Sequence, residues 1–213
     1  MASVYLSPSL QEWNVGYGMY GTEEQRMNQI ADIVQYELER HGVSVYRNRP
    51  EMRLQEVVAE SNMLRPDIHV ALHSNASAGQ ARGAEIYAHR FGGAAEALAR
   101  DVYDRVEEVT PTEGLGVKEG YSTFNGQGMY ELRRTTSPAA LLEVAFHDNP
   151  EDAQFIIDNI YELGQAVSKG ILQYFDIPYR TVQDWYLGKR SMPDYLLRLM
   201  SYKIETEELH RSR

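Results

Sequence analysis

The chain has 213 residues, 43% of them hydrophobic, with a formal net charge of −10 and no cysteine. This length and apolar content suit one domain with a packed core plus a short appendage, while the excess of acid argues against a nucleic-acid surface spread over the whole protein. Without cysteine, disulfides, thiolate metal ligands and a cysteine nucleophile are excluded, so any metal must bind His, Asp, Glu or water.

No apolar run approaches the roughly 20 residues needed to cross a bilayer. The first five residues also lack the basic stretch followed by an apolar one that marks a signal peptide. We therefore expect the chain to be made in the cytoplasm without a signal peptide.

The first half of the chain alternates strands and helices. Residues 4–6 predict a strand, and a loop rich in Ser, Pro, Asn and Gly follows over residues 7–21. Thr22 and Gln25 form a capping-box pattern, after which apolar residues recur at helical spacing until Gly42. The remaining elements of this half are a strand over 43–46, a helix over 54–63 and a strand over 68–73.

The second half continues the alternation, with strands over 84–88 and 139–146, a helix over 94–109, and helical sequence from Asn149 to about residue 175. Strands that alternate with helices imply parallel pairs joined by right-handed crossovers. We therefore predict an α/β fold, a three-layer sandwich with a mostly parallel central sheet flanked by helices, over residues 1–177.

Two residues at the predicted sheet are candidates for chemistry, because ligands collect beyond the carboxyl ends of strands in open α/β sheets. His73 closes a strand and could present a nitrogen to a metal, although a hydrogen-bonded histidine at the core edge is the simpler alternative. Glu143 lies in an apolar strand, where an unpaired carboxylate would cost several kcal/mol. It is either a general acid/base with a shifted pKa or half of a buried salt bridge.

Glu24 lies in the first turn of the first helix, just after the loop that leaves the first strand. Acidic residues favour helix N-termini because they complement the helix dipole, so a structural role also accounts for it. Glu23 is an equally available neighbour.

Several segments, in order and spacing, resemble the N-acetylmuramoyl-L-alanine amidase family. The resemblance extends from residue 4 to about residue 175 and includes residues 24–30, where the family places a metal-binding Glu shortly before an Asn. The segments that carry it are His-Ser-Asn at 73–75, Gly-Ala-Glu at 83–85, Gly-Val-Lys at 116–118, and the apolar run 138–146 followed by Asp-Asn at 148–149.

The resemblance implies a zinc-dependent hydrolase that cleaves the amide between the lactyl group of MurNAc and L-alanine in peptidoglycan. The family holds zinc with two His and one Glu, and a second Glu activates the attacking water. Carried over to this sequence, Glu24 and His73 become zinc ligands, Glu143 the general acid/base and Asn75 a substrate-binding residue. Such a chain, of bacterial or phage origin, would act on the cell wall once released, as an endolysin does.

One ligand of the family is missing. The family's first His lies in the loop after the first strand, and residues 6–14 contain no histidine. Leu10 takes the ligand position and cannot bind zinc, whereas Gln11 or Glu12 could reach in. The alternative is an amidase-fold binding or regulatory protein that has lost zinc and turnover.

The other histidines do not fill the gap. His69 shares a strand face with His73, but four residues at about 3.3 Å each place it some 13 Å away. His147 is expected at the surface.

Four aromatic residues lie in the two segments that would flank a substrate groove. They could stack on sugar rings or simply pack the loops, and the sequence does not separate the two roles. They are Tyr17, Tyr20, Tyr121 and Phe124.

Residues 178–213 differ from the rest of the chain, with seven Lys or Arg against five Asp or Glu. Part of this tail, with Trp185 before Gly188-Lys189-Arg190, is similar to the last part of helix-turn-helix repressor domains. The preceding helices of such domains are missing, so we expect a short helical appendage. Nucleic acid is not an expected partner, and only this tail could contact it.

Overall fold

The computed structural model describes residues 2–176, without the side chains of residues 124 and 125. This part of the chain forms six strands, which are β1 Ser3–Pro8, β2 Ser44–Arg47, β3 Ile68–Asn75, β4 Glu85–Ala88, β5 Gly116–Glu119 and β6 Ala139–Phe146. Its helices are α1 Glu23–Arg40, α2 Leu54–Leu64, α3 Ala94–Glu107, α4 Thr123–Gly126, α5 Tyr130–Arg134, α6 Pro150–Asp158 and α7 Ile160–Tyr174.

The strands form one sheet in the order β2-β1-β3-β6-β4-β5. Neighbours are parallel except for β4 and β6, which are antiparallel. A parallel crossover needs about a dozen residues or more, usually with a helix, and only residues 76–84 join β3 to β4. The predicted mostly parallel sheet is therefore confirmed, with two strands, β4 and β5, that run opposite to the other four.

Helices cover both faces of the sheet. On one face, α1 and α3 pack against the strands and against α7, while α2 and α5 pack together on the other. The side chains of β3 alternate between these layers, so that Val70 and Leu72 are buried on one side and Ala71 joins Leu132 and Leu141 on the other. The predicted three-layer α/β sandwich is confirmed.

Helix α1 begins as its sequence predicts. Thr22 accepts a hydrogen bond from the backbone N–H of Gln25, and the Gln25 side chain accepts one from the N–H of Thr22, which completes the capping box. Gly42, with φ of 76°, follows the helix in the left-handed region that favours glycine. The cap fixes where the first turn lies, and that turn carries two adjacent glutamates.

Four features differ from the elements expected from sequence. The helical stretch after Asn149 is two helices, because Asn159 interrupts it between α6 and α7. Strand β5 and the short helices α4 and α5 occupy sequence in which no element was expected.

No helix within residues 2–176 is long and apolar enough to cross a membrane. The predicted helical tail of residues 178–213, with its helix-turn-helix likeness, lies outside the described residues and stays a prediction.

Candidate active site

Three polar residues form a row across the sheet. His73 on β3 lies opposite Glu143 on β6, and Glu143 lies opposite Glu85 on β4. Residues opposite each other on neighbouring strands share a face, with Cβ atoms roughly 4.5–5.5 Å apart. Pairing thus brings together two of the residues that the sequence indicated, and adds Glu85 as a third.

Glu143 is partly buried, and its Oε2 is a fully buried oxygen without a hydrogen-bond partner among the described residues. Burial raises the pKa of Glu143 to about 8; the charge of His73 opposes this shift, and the charges of Glu23 and Glu85 add to it. A carboxyl group with a pKa near neutrality can both take and return a proton, as a general acid/base must.

His73 is hydrogen-bonded to Glu23, the first residue of α1. The distance between His73 Nδ1 and Glu23 Oε1 is 2.8 Å, and the Glu23 side chain is almost fully buried. Burial lowers the pKa of His73, but the bond to Glu23 and the charges of Glu143 and Glu23 outweigh burial and raise it to about 9. Burial likewise raises the pKa of Glu23, but the bond to His73 outweighs it and lowers that pKa.

Glu24, the predicted ligand, lies on a different side of the helix. Its Oε1 accepts a hydrogen bond of 2.9 Å from Asn28 Nδ2, one turn further along α1. Because adjacent helical residues point about 100° apart, only one of the two glutamates can face His73. That residue is Glu23, and the structure does not bring Glu24 to the row.

Gln11, one of the two residues that the sequence offered in place of the family's missing histidine, approaches His73. Its Nε2 is 3.4 Å from His73 Nδ1, and its Oε1 accepts a bond of 2.9 Å from Asn14 Nδ2. The same Asn14 nitrogen donates to Glu23 Oε2 at 2.7 Å. Glu12, the other candidate for this place, is exposed, so Gln11 is the side chain that joins Glu23 and His73.

These residues fit a zinc ion through two ligands of the usual kind. His73 Nδ1 and Glu23 Oε1 converge to 2.8 Å, and zinc takes such ligands at about 2.0–2.2 Å each. Residues 2–176 contain no group of three or more His, Asp or Glu arranged to hold a metal. Gln11 also contacts His73, and its amide oxygen would be a weaker zinc ligand than histidine.

Asn75, the predicted substrate-binding residue, contacts Glu85. Asn75 Nδ2 donates to Glu85 Oε1 at 2.6 Å, and the Tyr87 hydroxyl donates to the same oxygen at 2.8 Å. Lys118 pairs with the other oxygen of Glu85. Asn75 therefore lies one strand from Glu143 and holds a buried carboxylate beside it.

Two of the remaining histidines, His69 and His147, have structural partners. His69 is buried, stacks on Tyr5 and bonds Ser61 and Glu131, so it lies away from the row as expected. His147 was expected at the surface, and this is wrong. It is 4% exposed, its Nδ1 lies 2.9 Å from both Oγ and O of Ser74, and its backbone N–H donates to Asn75 O at the end of β3.

The aromatic candidates separate into two groups. Tyr20 is fully buried, with its hydroxyl 2.7 Å from Ser74 Oγ, so it packs the loop. Tyr17 and Tyr121 are exposed and could contact a ligand. The side chain of Phe124 lies outside the described residues.

Comparison with known proteins agrees with this geometry. A family model described as N-acetylmuramoyl-L-alanine amidase matches residues 4–173. The chain belongs to this amidase family. The resemblance read from the motifs is thereby confirmed over nearly the whole range in which the sequence indicated it.

Two curated relatives are similar to this amidase-family chain. The germination-specific N-acetylmuramoyl-L-alanine amidase of Bacillus subtilis is 26% identical over 137 residues, which are 63% of this chain and 55% of the relative. The probable cell wall amidase LytH of Staphylococcus aureus is 28% identical over 148 residues, 68% of this chain and 47% of the relative. The chain thus spans about half the length of these two relatives.

A solved structure shares the fold. The catalytic domain of CwlV, an N-acetylmuramoyl-L-alanine amidase from Bacillus (Paenibacillus) polymyxa, superposes with a TM-score of 0.74 at 23% identity. The match covers 84% of this chain and all of that domain. The six-stranded sheet flanked by helices is therefore the architecture of an amidase catalytic domain.

Proposed function

We propose that this chain hydrolyses the amide between the lactyl group of MurNAc and L-alanine in peptidoglycan. Membership of the amidase family supports the reaction class. The observation that carries the proposal is the position of Glu143, a partly buried carboxyl group in register with His73 whose Oε2 lacks a partner within residues 2–176.

In the proposed reaction, Glu143 moves the proton. Its free oxygen takes a proton from the attacking water as the water oxygen bonds to the lactyl carbonyl carbon. The amide C–N bond then breaks, and Glu143 returns the proton to the leaving nitrogen of L-alanine. The products are a lactyl carboxylate and a peptide with a free amino terminus.

We further propose that Glu23 and His73 hold a zinc ion, with Gln11 as the third protein donor. Zinc, when bound, supplies Lewis-acid polarisation of the carbonyl and a lower pKa for water. Glu23 replaces Glu24 in this assignment, because the Glu23 carboxylate lies 2.8 Å from His73 Nδ1. Asn14 donates to both Glu23 and Gln11 and so orients the two side chains.

The test compares wild type with Glu143→Gln on purified peptidoglycan. We expect wild type with added zinc to release free L-alanine amino termini, and Glu143→Gln to be at least about a hundredfold slower, the usual loss of a general acid/base. The exposed Glu51, substituted to Gln, is the matched control and should leave the rate unchanged. Full activity in Glu143→Gln would refute the assigned role.

A binding protein without turnover is the second candidate, and Gln11 in place of a histidine favours it. Zinc analysis discriminates between the two. A wild-type chain that stays metal-free and inactive after zinc addition, yet binds peptidoglycan, would establish the second function and exclude the first.

A further inference from the structure

Two of the sequence motifs that have no role in the proposed reaction meet in space. Glu85 of the Gly-Ala-Glu segment and Lys118 of the Gly-Val-Lys segment are 33 residues apart and form an ion pair on neighbouring strands. The Lys118 ammonium also lies 6.0 Å from the centre of the Tyr87 ring.

The hydrogen bonds of this cluster leave donors on the lysine and one on the Asn75 amide, and of these four residues only the lysine is a cation. Asn75 and Tyr87 donate to one Glu85 oxygen and Lys118 to the other, so both oxygens have partners. An ammonium has three donors and no acceptor, and Glu85 receives one of them. The Lys118 side chain is 40% exposed against 4% for Glu85, so the cluster meets solvent through its cation.

The cluster lies at one end of the row formed by His73, Glu143 and Glu85. Glu85 is opposite Glu143, which is opposite His73, and the Glu23 and Gln11 side chains lie at the other end. Strands are about 4.8 Å apart and an extended peptide advances about 3.3–3.6 Å per residue. Lys118 is therefore within reach of a group one or two residues from a substrate amide held at His73 and Glu143, when the substrate runs toward β5.

We propose that Lys118 binds a carboxylate on the peptide side of the substrate, on the residue that follows L-alanine. The inference rests on the proposed function, since it identifies the substrate class of the same site. Glu85 fixes the ammonium, and the Tyr87 ring lies 6.0 Å from it. In a chain of net charge −10, a placed cation offsets the repulsion that an anionic peptide would meet.

The test uses two substrates that differ in one group, N-acetylmuramoyl-L-alanyl-D-glutamate and its α-amide. We expect wild type to prefer the carboxylate by about tenfold in kcat/KM, the usual size of one charge-assisted hydrogen bond. Lys118→Gln should remove the preference by lowering kcat/KM for the carboxylate substrate, chiefly through a higher KM. Lys118→Arg should retain most of the preference. Lys169→Gln on α7, which removes the same charge elsewhere, should keep the preference.

Two results would overturn the inference. One is equal cleavage of both substrates by wild type, and the other is an equal loss on both substrates in Lys118→Gln, which would indicate that Lys118 acts only through Glu85. If wild type cleaves neither substrate, cleavage of purified peptidoglycan by the same preparation tests the proposed function separately. Calorimetric binding of the two compounds to Glu143→Gln then decides the role of Lys118, because it requires no turnover.

Discussion

Glu23 and Glu24 are adjacent residues with different surroundings, and this contrast provides a matched pair of variants. Glu23 is buried against His73, whereas Glu24 bonds Asn28 on the helix surface. We expect Glu23→Gln to weaken zinc binding by at least about tenfold, since loss of groups that build a metal site costs 10–100-fold. Glu24→Gln should bind zinc as wild type does.

Competition with a chelator of known affinity measures this difference without relying on turnover. Circular dichroism of both variants verifies that each is folded. Weakening in Glu24→Gln alone would return the ligand assignment to Glu24, and equal weakening in both variants would contradict the choice of Glu23 over Glu24.

Gln11 provides a gain-of-affinity test. Replacing its amide with the imidazole that zinc prefers should raise zinc affinity by about tenfold or more in Gln11→His, while Gln11→Ala should lower it. The side chain already reaches to 3.4 Å from His73 Nδ1, so the new ligand would not require the loop to move far. Unchanged affinity in Gln11→His would place Gln11 outside the metal site.

The sequence indicated part of this site. His73 and Glu143 could be predicted from the sequence. Strand ends in α/β sheets carry function, and an acid in an apolar strand must be compensated. The inward position of Glu23 could also have been predicted from helical spacing, because Met27 and Ile30 follow it at i+4 and i+7 and are buried. The approach of Gln11 and Asn14 to Glu23 depends on loop conformation, which no spacing rule encodes.

At the scale of the element, the N-terminal cap of α1 stabilises the helix and also positions a residue of the candidate site. The capping box of Thr22 and Gln25 sets the first turn, and Glu23 is the residue directly after the cap. We expect Thr22→Ala to lower the free energy of unfolding by about 1 kcal/mol, because an N-terminal backbone donor loses its partner. Thr22→Ser, which keeps the hydroxyl, should be close to wild type.

Urea unfolding of the metal-free protein measures these changes without a contribution from zinc. If Thr22→Ala and Thr22→Ser are equally stable, the hydroxyl does not cap α1.

The long elements were predictable, as were the four-residue strands β2 and β4, but β5, α4 and α5 were not. The run Ala139–Phe146 is apolar apart from Glu143 and forms β6 with the expected bounds. In contrast, β5 and α5 each contain two or more charged residues among four or five, so no apolar period stands out. Their formation depends on partners distant in sequence, such as β4, which pairs with β5.

At the scale of the whole molecule, the buried pair of Glu131 and His69 makes the free energy of unfolding depend on pH. Glu131 Oε1 lies 2.8 Å from His69 Nε2, and both side chains are almost fully buried. Burial raises the pKa of Glu131, but its hydrogen bond with His69 and the charge of His69 outweigh burial and lower it. The ionised carboxylate therefore stabilises the folded chain above its unfolded pKa, and this contribution is lost as pH falls through the folded pKa.

Glu131→Gln tests this linkage. At pH 7 we expect the variant to be less stable than wild type by about 2 kcal/mol, the usual contribution of a hydrogen bond to a charged group. The difference should shrink as the pH is lowered below about 4.5, where the unfolded carboxylate takes up its proton. Urea unfolding at several pH values measures it, and a difference independent of pH would mean that Glu131 contributes by packing alone.

The overall architecture followed from the alternation of strands and helices, because parallel strands need covered faces and long crossovers. The reversal of β4 did not follow. The connection of residues 76–84 is too short for a parallel crossover. Which strand β4 pairs with, here β6, is decided only in the assembled sheet, so the direction of β4 could not be predicted from sequence.

The most direct test of the proposed function is the identity of the bond that is cleaved. Purified disaccharide-peptide from peptidoglycan, incubated with the zinc-supplemented full chain, can be analysed by mass spectrometry. We expect two products whose masses sum to the substrate plus one water, a disaccharide ending in a free lactyl carboxylate and a peptide beginning with L-alanine. An intact substrate, or cleavage within the sugar or the peptide, would contradict the account.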